Sequence, residues 1–229
     1  MSQARRLTAE FLGTALLLAA VVGSGIMGER LSGGNVAIAL LANTLATGAT
    51  LVTLIFTFGP VSGAQFNPAV TAAIASQREM DWKDAAGYIA AQAGGAMAGV
   101  FTAHLMFDEA ILQISQHVRT GGSQLFSEFI ATFGLLSVIW GCGRLRSDAL
   151  PFAVGLYITG AYWFTASTSF ANPGVTLARA FTNTFAGIRP SDVPAFIAAQ
   201  LCGAFAATVL FRWLVPLGRD KESEVSHGR

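Results

Sequence analysis

Two short stretches of this chain begin alike, with asparagine followed by proline, and they constrain the fold more than any other feature. Residues 67–71 read Asn-Pro-Ala-Val-Thr, and residues 172–176 read Asn-Pro-Gly-Val-Thr. An asparagine side chain caps a helix by accepting a backbone N–H, and proline is favoured at the first helical position. A long apolar run precedes each stretch, and polar residues soon return, at Ser76 and Asn183. The pattern predicts two half-helices that dip into a membrane and end there.

Apolar segments long enough to cross a bilayer surround these motifs. Of the 229 residues, 53% are hydrophobic and 12% are charged, which leaves too little polar surface for a soluble globule of this size. A helix needs about 20 apolar residues to cross the hydrocarbon core. We therefore predict an all-α membrane protein with six spans, at residues 7–27, 36–58, 82–106, 125–143, 150–164 and 193–215. The fifth is short, but it continues into the approach to Asn172.

The two halves of the sequence carry the same markers in the same order. Glu10 in the first span matches Glu128 in the fourth, and the Ala-Ala-Gln sequence of residues 90–92 recurs at 198–200. Three spans per half is an odd number, so the halves must have opposite orientations in the membrane, as an inverted 3+3 repeat. We predict a single transmembrane channel domain over residues 1–229, made of repeat 1 at 6–106, repeat 2 at 124–216 and a charged cytoplasmic tail at 217–229.

Inverted halves bring the two predicted half-helices together from opposite faces of the membrane. Unpaired backbone at that depth is tolerated only where it is buried in protein or lines a water-filled cavity, so we infer a pore. Each helix N-terminus contributes roughly half a positive charge, which opposes cations and hydrated protons but not neutral solutes. Because capping occupies the side-chain oxygens of Asn67 and Asn172, each side chain keeps an amide hydrogen for a passing oxygen.

The distribution of basic residues predicts the orientation, because lysine and arginine are retained on the cytoplasmic side. With six spans, one face holds most of the cations: Arg5, Arg6, Arg78, Lys83, Arg144, Arg146, Arg212, Arg219, Lys221 and Arg229. The other face holds only Arg30, Arg119, Arg179 and Arg189. Both termini are therefore expected in the cytoplasm.

Paired Asn-Pro motifs within an inverted repeat resemble the aquaporin and aquaglyceroporin family, the major intrinsic proteins, over residues 10–215. The resemblance implies an aquaporin-like right-handed bundle of six transmembrane helices plus two half-helices, forming a homotetramer with one passive pore per subunit in the cell (inner) membrane. It implies that Glu10 and Glu128 brace the loops that carry the motifs. It assigns the pore motifs to Asn67, Pro68, Ala69, Asn172, Pro173 and Gly174.

The resemblance also implies a selectivity filter outside the paired asparagines, and here the chain departs from its relatives. The filter positions lie twenty residues before the first asparagine, and twelve before, three before and three after the second. In this chain they hold Thr47, Gly160, Ser169 and Val175. Thr47 replaces an aromatic ring, Gly160 leaves one side open, and Val175 stands where relatives have an arginine. These residues predict a wide neck without its usual fixed charge.

A filter of this kind resembles that of bacterial aquaglyceroporin-like channels associated with arsenic-resistance operons. It predicts a passive channel for water and small neutral solutes, with arsenite, methylated arsenicals, glycerol and urea as candidates. Arg179 lies about one helical turn beyond Val175 on the same face. It either supplies the missing charge from a different level or bonds a helix-end carbonyl or the outer interface.

Two other function classes are compatible with parts of the pattern. A plain water-selective aquaporin would share the repeat and both motifs. A secondary transporter also uses inverted repeats, but ion coupling needs carboxylates along the path, and only Glu10 and Glu128 qualify. The sequence has no catalytic Ser/His/Asp set, zinc-type cluster, phosphate-binding glycine loop or basic block. We therefore expect no enzyme, metal, cofactor or nucleic-acid partner.

Overall fold

Eight helices make up the part of the chain that the computed structural model describes, residues 1–216. They are α1 (Gln3–Leu31), α2 (Val36–Ser62), α3 (Pro68–Ser76), α4 (Trp82–Phe107), α5 (Gly122–Leu145), α6 (Leu150–Phe164), α7 (Pro173–Ala178) and α8 (Val193–Leu214). Short 3-10 turns add Ser147–Ala149, Arg179–Phe181 and Pro190–Asp192. The charged tail predicted at 217–229 lies outside the described residues.

Several helices are longer than the apolar runs that predict them. The first begins at Gln3 rather than residue 7, because the Ser2 hydroxyl accepts a hydrogen bond from a first-turn N–H. The second continues to Ser62 rather than residue 58 and ends at Gly63, whose φ of +88° is left-handed and suits glycine. Hydropathy marks the segment within the hydrocarbon, whereas the backbone hydrogen bonds continue until a capping residue ends the helix.

Four segments are both long and apolar enough to cross a membrane, namely α1, α2, α5 and the segment Pro190–Leu214, which includes α8. The other two predicted spans depart from this pattern for different reasons. The fourth helix, α4, carries Gln92, His104 and several glycines, which lower its hydropathy. The sixth helix, α6, has 15 residues and rises only about 22 Å.

The helix packing repeats in the two halves. In the first half α1 packs against α4, in the second α5 packs against α8, and α2 meets α6 between the halves. Glycines let the backbones approach closely: a Cβ on Gly95 would lie 2.2 Å from the Phe11 carbonyl oxygen. In the second half, a Cβ on Gly203 would lie 2.3 Å from the Phe129 carbonyl oxygen. The two halves therefore repeat the same helix packing, between the helices that the sequence markers pair.

The two half-helices lie between these packed pairs. The first, α3, has nine residues and contacts α4, α8 and α7, and the second, α7, has six residues and contacts α4 and α8. Neither is long enough to span a bilayer. In each half, the chain enters the bundle as a loop and leaves it again as the short helix.

Candidate functional site: a pore between two helix tips

Each half-helix begins with the predicted asparagine cap. The Asn67 side-chain oxygen accepts a hydrogen bond from Ala69 N at 2.9 Å, and the Asn172 side-chain oxygen accepts one from Gly174 N at 2.9 Å. Proline occupies the first helical position of both. The local sequence therefore determines where each helix starts, because the capping oxygen satisfies an N–H that has no partner within the helix.

The two tips exchange hydrogen bonds. Asn67 Nδ2 donates to the Ala171 carbonyl at 2.8 Å, and Asn172 Nδ2 donates to the Phe66 carbonyl at 2.8 Å. Each bond uses one of the two hydrogens on its amide nitrogen. Since both asparagines line the same cavity, the second hydrogen is left for a group inside it.

A buried carboxylate holds the loop in front of the first half-helix. Glu10 accepts hydrogen bonds from the backbone N–H groups of Gln65, at 3.0 Å, and Phe66, at 2.7 Å. The Ser62 hydroxyl donates to it at 2.6 Å and Gln92 Nε2 at 2.8 Å. These are the contacts that a bracing role requires, and they satisfy a charge that is fully buried within the bundle.

The second loop is held in the same way. Glu128 accepts from the N–H groups of Phe170 and Ala171, both at 2.9 Å, and from Gln200 Nε2 at 2.6 Å. Ala171 has a φ of +48° and its counterpart Phe66 a φ of +49°, in the left-handed region that costs a non-glycine residue roughly 1–2 kcal/mol. The carboxylates stabilise these conformations by bonding the N–H of the strained residue in each loop.

One cavity of about 730 Å³ passes both tips. Two helices contribute side chains spaced one turn apart, which are Thr47, Leu51 and Ile55 from α2 and Val154, Ile158 and Tyr162 from α6. Further apolar wall comes from Leu17, Val21, Val70, Ile74, Leu135 and Ile139, and polar wall from the loops at 63–67 and 169–172. The cavity therefore has an apolar side and a side rich in hydrogen-bonding groups.

Gly160 does not line this cavity, which corrects the predicted filter. It is exposed on the outside of α6, and a Cβ there would meet nothing within 4 Å. At 100° per residue it points about 200° away from Ile158 and Tyr162, which both face the cavity. The side predicted to be open is occupied by the Tyr162 ring, whose hydroxyl donates to the Thr47 hydroxyl at 3.4 Å. Counting back from Asn172 missed this, because the path of the intervening loop decides the register.

The cavity wall also includes the other three predicted filter residues and one further cation, namely Thr47, Ser169, Val175 and Arg179. The carbon of the Arg179 guanidinium lies 3.4 Å from the centroid of the Phe170 ring. Its Nε donates to the Ala186 carbonyl. Arg179 thus bonds a turn carbonyl rather than a helix-end carbonyl, and it also lines the cavity.

Arg119, from the loop between α4 and α5, reaches the back of this region and was not predicted as a site residue. It donates from Nε to the Gly187 carbonyl at 2.8 Å and from Nη1 to the Ser167 carbonyl at 3.1 Å. Its guanidinium carbon lies 4.8 Å from the Phe170 ring centroid. Burial lowers the pKa of Arg119, and the Glu128 carboxylate opposes the shift. No spacing in the sequence connects this arginine with the second loop.

Together these features define a class of protein, a membrane channel whose path runs between two opposed half-helices. The cavity extends from Glu79 and Arg144 near one face to Arg179 near the other, past both asparagines. In residues 1–216, no three His, Cys, Asp or Glu side chains lie close enough together to hold a metal ion. The wall offers passage and hydrogen bonds to a solute.

The chain belongs to the major intrinsic protein family, whose members are passive channels and not enzymes. Residues 1–147 match the family described as Major intrinsic protein. The chain is 56% identical over 215 residues to aquaglyceroporin AqpS of Rhizobium meliloti (strain 1021), covering 94% of this chain and 92% of AqpS. It is 32% identical over 168 residues to aquaporin NIP3-1 of Oryza sativa subsp. japonica, covering 69% of this chain and 52% of that protein.

The fold is similar to that of a solved channel. The X-ray structure of the aquaglyceroporin from Plasmodium falciparum superimposes with a TM-score of 0.68 at 22% sequence identity, covering 98% of this chain and all of that one. At this identity the similarity shows the fold alone. The predicted all-α, aquaporin-like fold class is confirmed by this similarity. The channel function of the aquaglyceroporin type rests instead on the family match and on the similarity to AqpS.

Proposed function

We propose that this channel conducts small uncharged solutes wider than water, with arsenite, methylated arsenicals and glycerol as the candidate solutes. One observation carries the proposal: the third position after the second asparagine is Val175, an uncharged side chain that lines the cavity together with Thr47 and Ser169. Valine is shorter than the arginine of related filters and leaves more of the neck open. Tyr162 lines the cavity where Gly160 was predicted, so Tyr162, Thr47 and Val175 together set the width of the neck.

The cavity wall supports the same class of solute. Its apolar side, formed by residues such as Leu51, Ile158 and Leu135, does not compete for hydrogen bonds. Its polar side, with the Asn67 and Asn172 amides, replaces part of a solute's water shell. A solute with hydroxyl groups on one side and carbon on the other matches both sides. Undissociated arsenite and glycerol each present three hydroxyl groups, and a methylated arsenical adds an apolar group for the apolar wall.

The assembly and orientation are part of the proposal. We expect a homotetramer in the inner membrane with both termini in the cytoplasm, which agrees with the excess of basic residues predicted for that face. Large apolar side chains on the outside of the bundle, such as Leu45, Phe152 and Phe205, suit contact with lipid or a neighbouring subunit. Light scattering in detergent measures the assembly, and protease access to terminal tags in sealed vesicles measures the orientation.

The solute class is tested by stopped-flow light scattering on proteoliposomes, with gradients of water, glycerol, urea and arsenite. Val175→Arg lengthens a side chain in the neck, so we expect it to suppress glycerol and arsenite flux about tenfold and water flux less. Val175→Phe reduces the width without adding charge and separates the two effects. Gly160→Ala is the matched control, because a Cβ there meets nothing, and it should leave all four fluxes unchanged.

Different outcomes exclude different parts of the proposal. Equal suppression of every solute by Val175→Arg would remove Val175 from the filter. Water flux without glycerol or arsenite flux in the unaltered protein would indicate a water-selective channel. Solute flux that depends on a proton or sodium gradient would indicate a secondary transporter.

A further inference from the structure

The two half-helices place different residues at equivalent positions along the cavity. Counting from each asparagine, the third residue is valine in both, Val70 and Val175, and both line the cavity. The seventh residue is Ile74 after the first asparagine and Arg179 after the second, and both again line the cavity. Arg179 therefore places a charged side chain at a position that is apolar in the other half.

Arg179 is buried yet incompletely paired. It is only 2% exposed, and its Nε is used by the Ala186 carbonyl. The residues at 1–216 give its two Nη groups no hydrogen-bond partner. A guanidinium carries five N–H donors, and an unpaired buried charge is unfavourable. The Phe170 ring beneath it, 3.4 Å away, fixes the plane of the guanidinium. The Nη groups are therefore left to donate hydrogen bonds to a molecule inside the cavity.

A second polar atom in the same neck is unpartnered. The Ser169 hydroxyl is buried, on a residue only 2% exposed, and has no hydrogen-bond partner among the described residues. Buried polar side-chain atoms are bonded in the large majority of cases, so an unbonded one facing a cavity needs an explanation. The Thr47 and Tyr162 hydroxyls line the same cavity. Hydroxyl groups donate and accept, whereas the guanidinium only donates, so together they favour ligand oxygens.

Arg119 holds the Phe170 ring in place from the side that faces away from the cavity. Its bonds to the Ser167 and Gly187 carbonyls and its approach to the Phe170 ring join the loop between α4 and α5 to the loop in front of the second half-helix, residues 165–172, which we call the second pore loop. Its backbone N–H donates to Asp192 at 2.9 Å, which holds that loop in place. We treat it as a positioning residue, since it is absent from the cavity wall.

We propose that Arg179, held on Phe170, and Ser169 form a recognition subsite in the outer neck for the oxygens of uncharged polyols and weak oxoacids. The subsite supplies, seven residues after the asparagine, the donors that Val175 does not supply. It repels cations, because its charge is fixed and lies in the path. This inference rests on the proposed function, since it names what distinguishes one neutral solute from another.

The test compares two solutes that differ by one hydroxyl, glycerol and 1,2-propanediol, in proteoliposomes after subtraction of flux through lipid alone. A site built to bond a hydroxyl discriminates against the analogue that lacks it. We expect the unaltered protein to favour glycerol, and Arg179→Leu to reduce the glycerol-to-propanediol ratio about tenfold, as for one lost hydrogen bond to a charged group. Ser169→Ala should reduce it less. Gly160→Ala, at a position outside the cavity wall where an added Cβ meets nothing within 4 Å, is the control and should leave the ratio unchanged.

Potassium leak provides an independent measurement. Arg179→Leu should raise it and Arg179→Lys should not, because lysine keeps the charge while losing the planar donors. Water flux and the size-exclusion profile show whether each variant is folded. An unchanged solute ratio and unchanged leak in a folded Arg179→Leu protein would overturn the subsite.

The subsite and the proposed function fail differently. Equal conduction of both polyols by the unaltered protein would leave the solute class standing and exclude the subsite. Conduction of neither would exclude the solute class, and the potassium leak of Arg179→Leu against Arg179→Lys would then decide whether Arg179 governs the neck.

Discussion

The two pore loops, residues 63–67 and 165–172, share their backbone conformation and their bonds to a buried glutamate, but different side chains pack around them. In both, a buried glutamate accepts two successive backbone N–H groups, Gln65 and Phe66 in the first loop and Phe170 and Ala171 in the second. The residues one and three positions before each asparagine have left-handed backbones, with φ between 48° and 50°. The shared features make the two tips meet, so they explain why the protein has a pore.

The differences lie at the edges of the loops. The carbonyl five residues before the asparagine accepts from the Tyr88 hydroxyl in the first loop, on Ser62, and from the Arg119 guanidinium in the second, on Ser167. The residue two before the asparagine is Gln65 in one and Phe170 in the other. The second loop thus carries an aromatic platform and two guanidinium groups that the first lacks. The shared backbone and carboxylate contacts form the path through the protein. The aromatic ring and the two guanidinium groups of the second loop make the outer end of the path chemically different from the inner end.

The largest expected effect comes from removing the carboxylates. Glu10→Leu leaves four donors without their acceptor and Glu128→Leu leaves three. Because buried unpaired donors are unfavourable, we expect each variant to lose about 4 kcal/mol of stability, with Glu10→Leu the more affected by about 1 kcal/mol. Thermal unfolding in detergent measures the difference. Equal midpoints would show that the Ser62 bond to Glu10 contributes nothing.

The next effect tests whether the halves are equivalent in their helix packing. Gly95→Ala and Gly203→Ala each place a Cβ less than 2.5 Å from a backbone oxygen, so the helices must separate. We expect both to lose about 2–3 kcal/mol, and by similar amounts. Gly59→Ala, where a Cβ meets nothing within 4 Å, is the control. If one of the two variants keeps its stability while the other loses it, the two halves differ in how rigidly their helices pack.

The smallest effect separates structural from selective support. Tyr88→Phe removes one bond to a buried carbonyl, which costs about 1 kcal/mol, and should leave solute preference unchanged. Arg119→Gln should lower stability by a similar amount. It should also lower the glycerol-to-propanediol flux ratio by about threefold, because Phe170 and Arg179 are no longer held in position by the Arg119 guanidinium. Unfolding midpoints and flux ratios are measured on the same preparations. A changed ratio in Tyr88→Phe would contradict the assignment of selectivity to the second loop.

Much of the skeleton was predictable because its signals are local. Asparagine followed by proline predicts a helix start within a few residues, and the recurrence of glutamate and Ala-Ala-Gln in both halves predicts which helices correspond. The filter itself stays a prediction. Thr47, Ser169 and Val175 line the cavity, whereas Gly160 does not and Tyr162 lines it instead, since spacing across a loop fixes no helical face.

The sequence alone determined that this chain crosses a membrane, that two capped half-helices face each other and that the halves are inverted. These follow from hydropathy, capping and an odd number of spans, which act over a few residues or by topology. The tertiary structure decided which side chains meet in the outer neck. Arg119 lies 48 residues from the carbonyl of Ser167, and the Phe170 ring brings it near Arg179. Contacts of that range depend on the folded path of both loops, because no local preference of the chain encodes them.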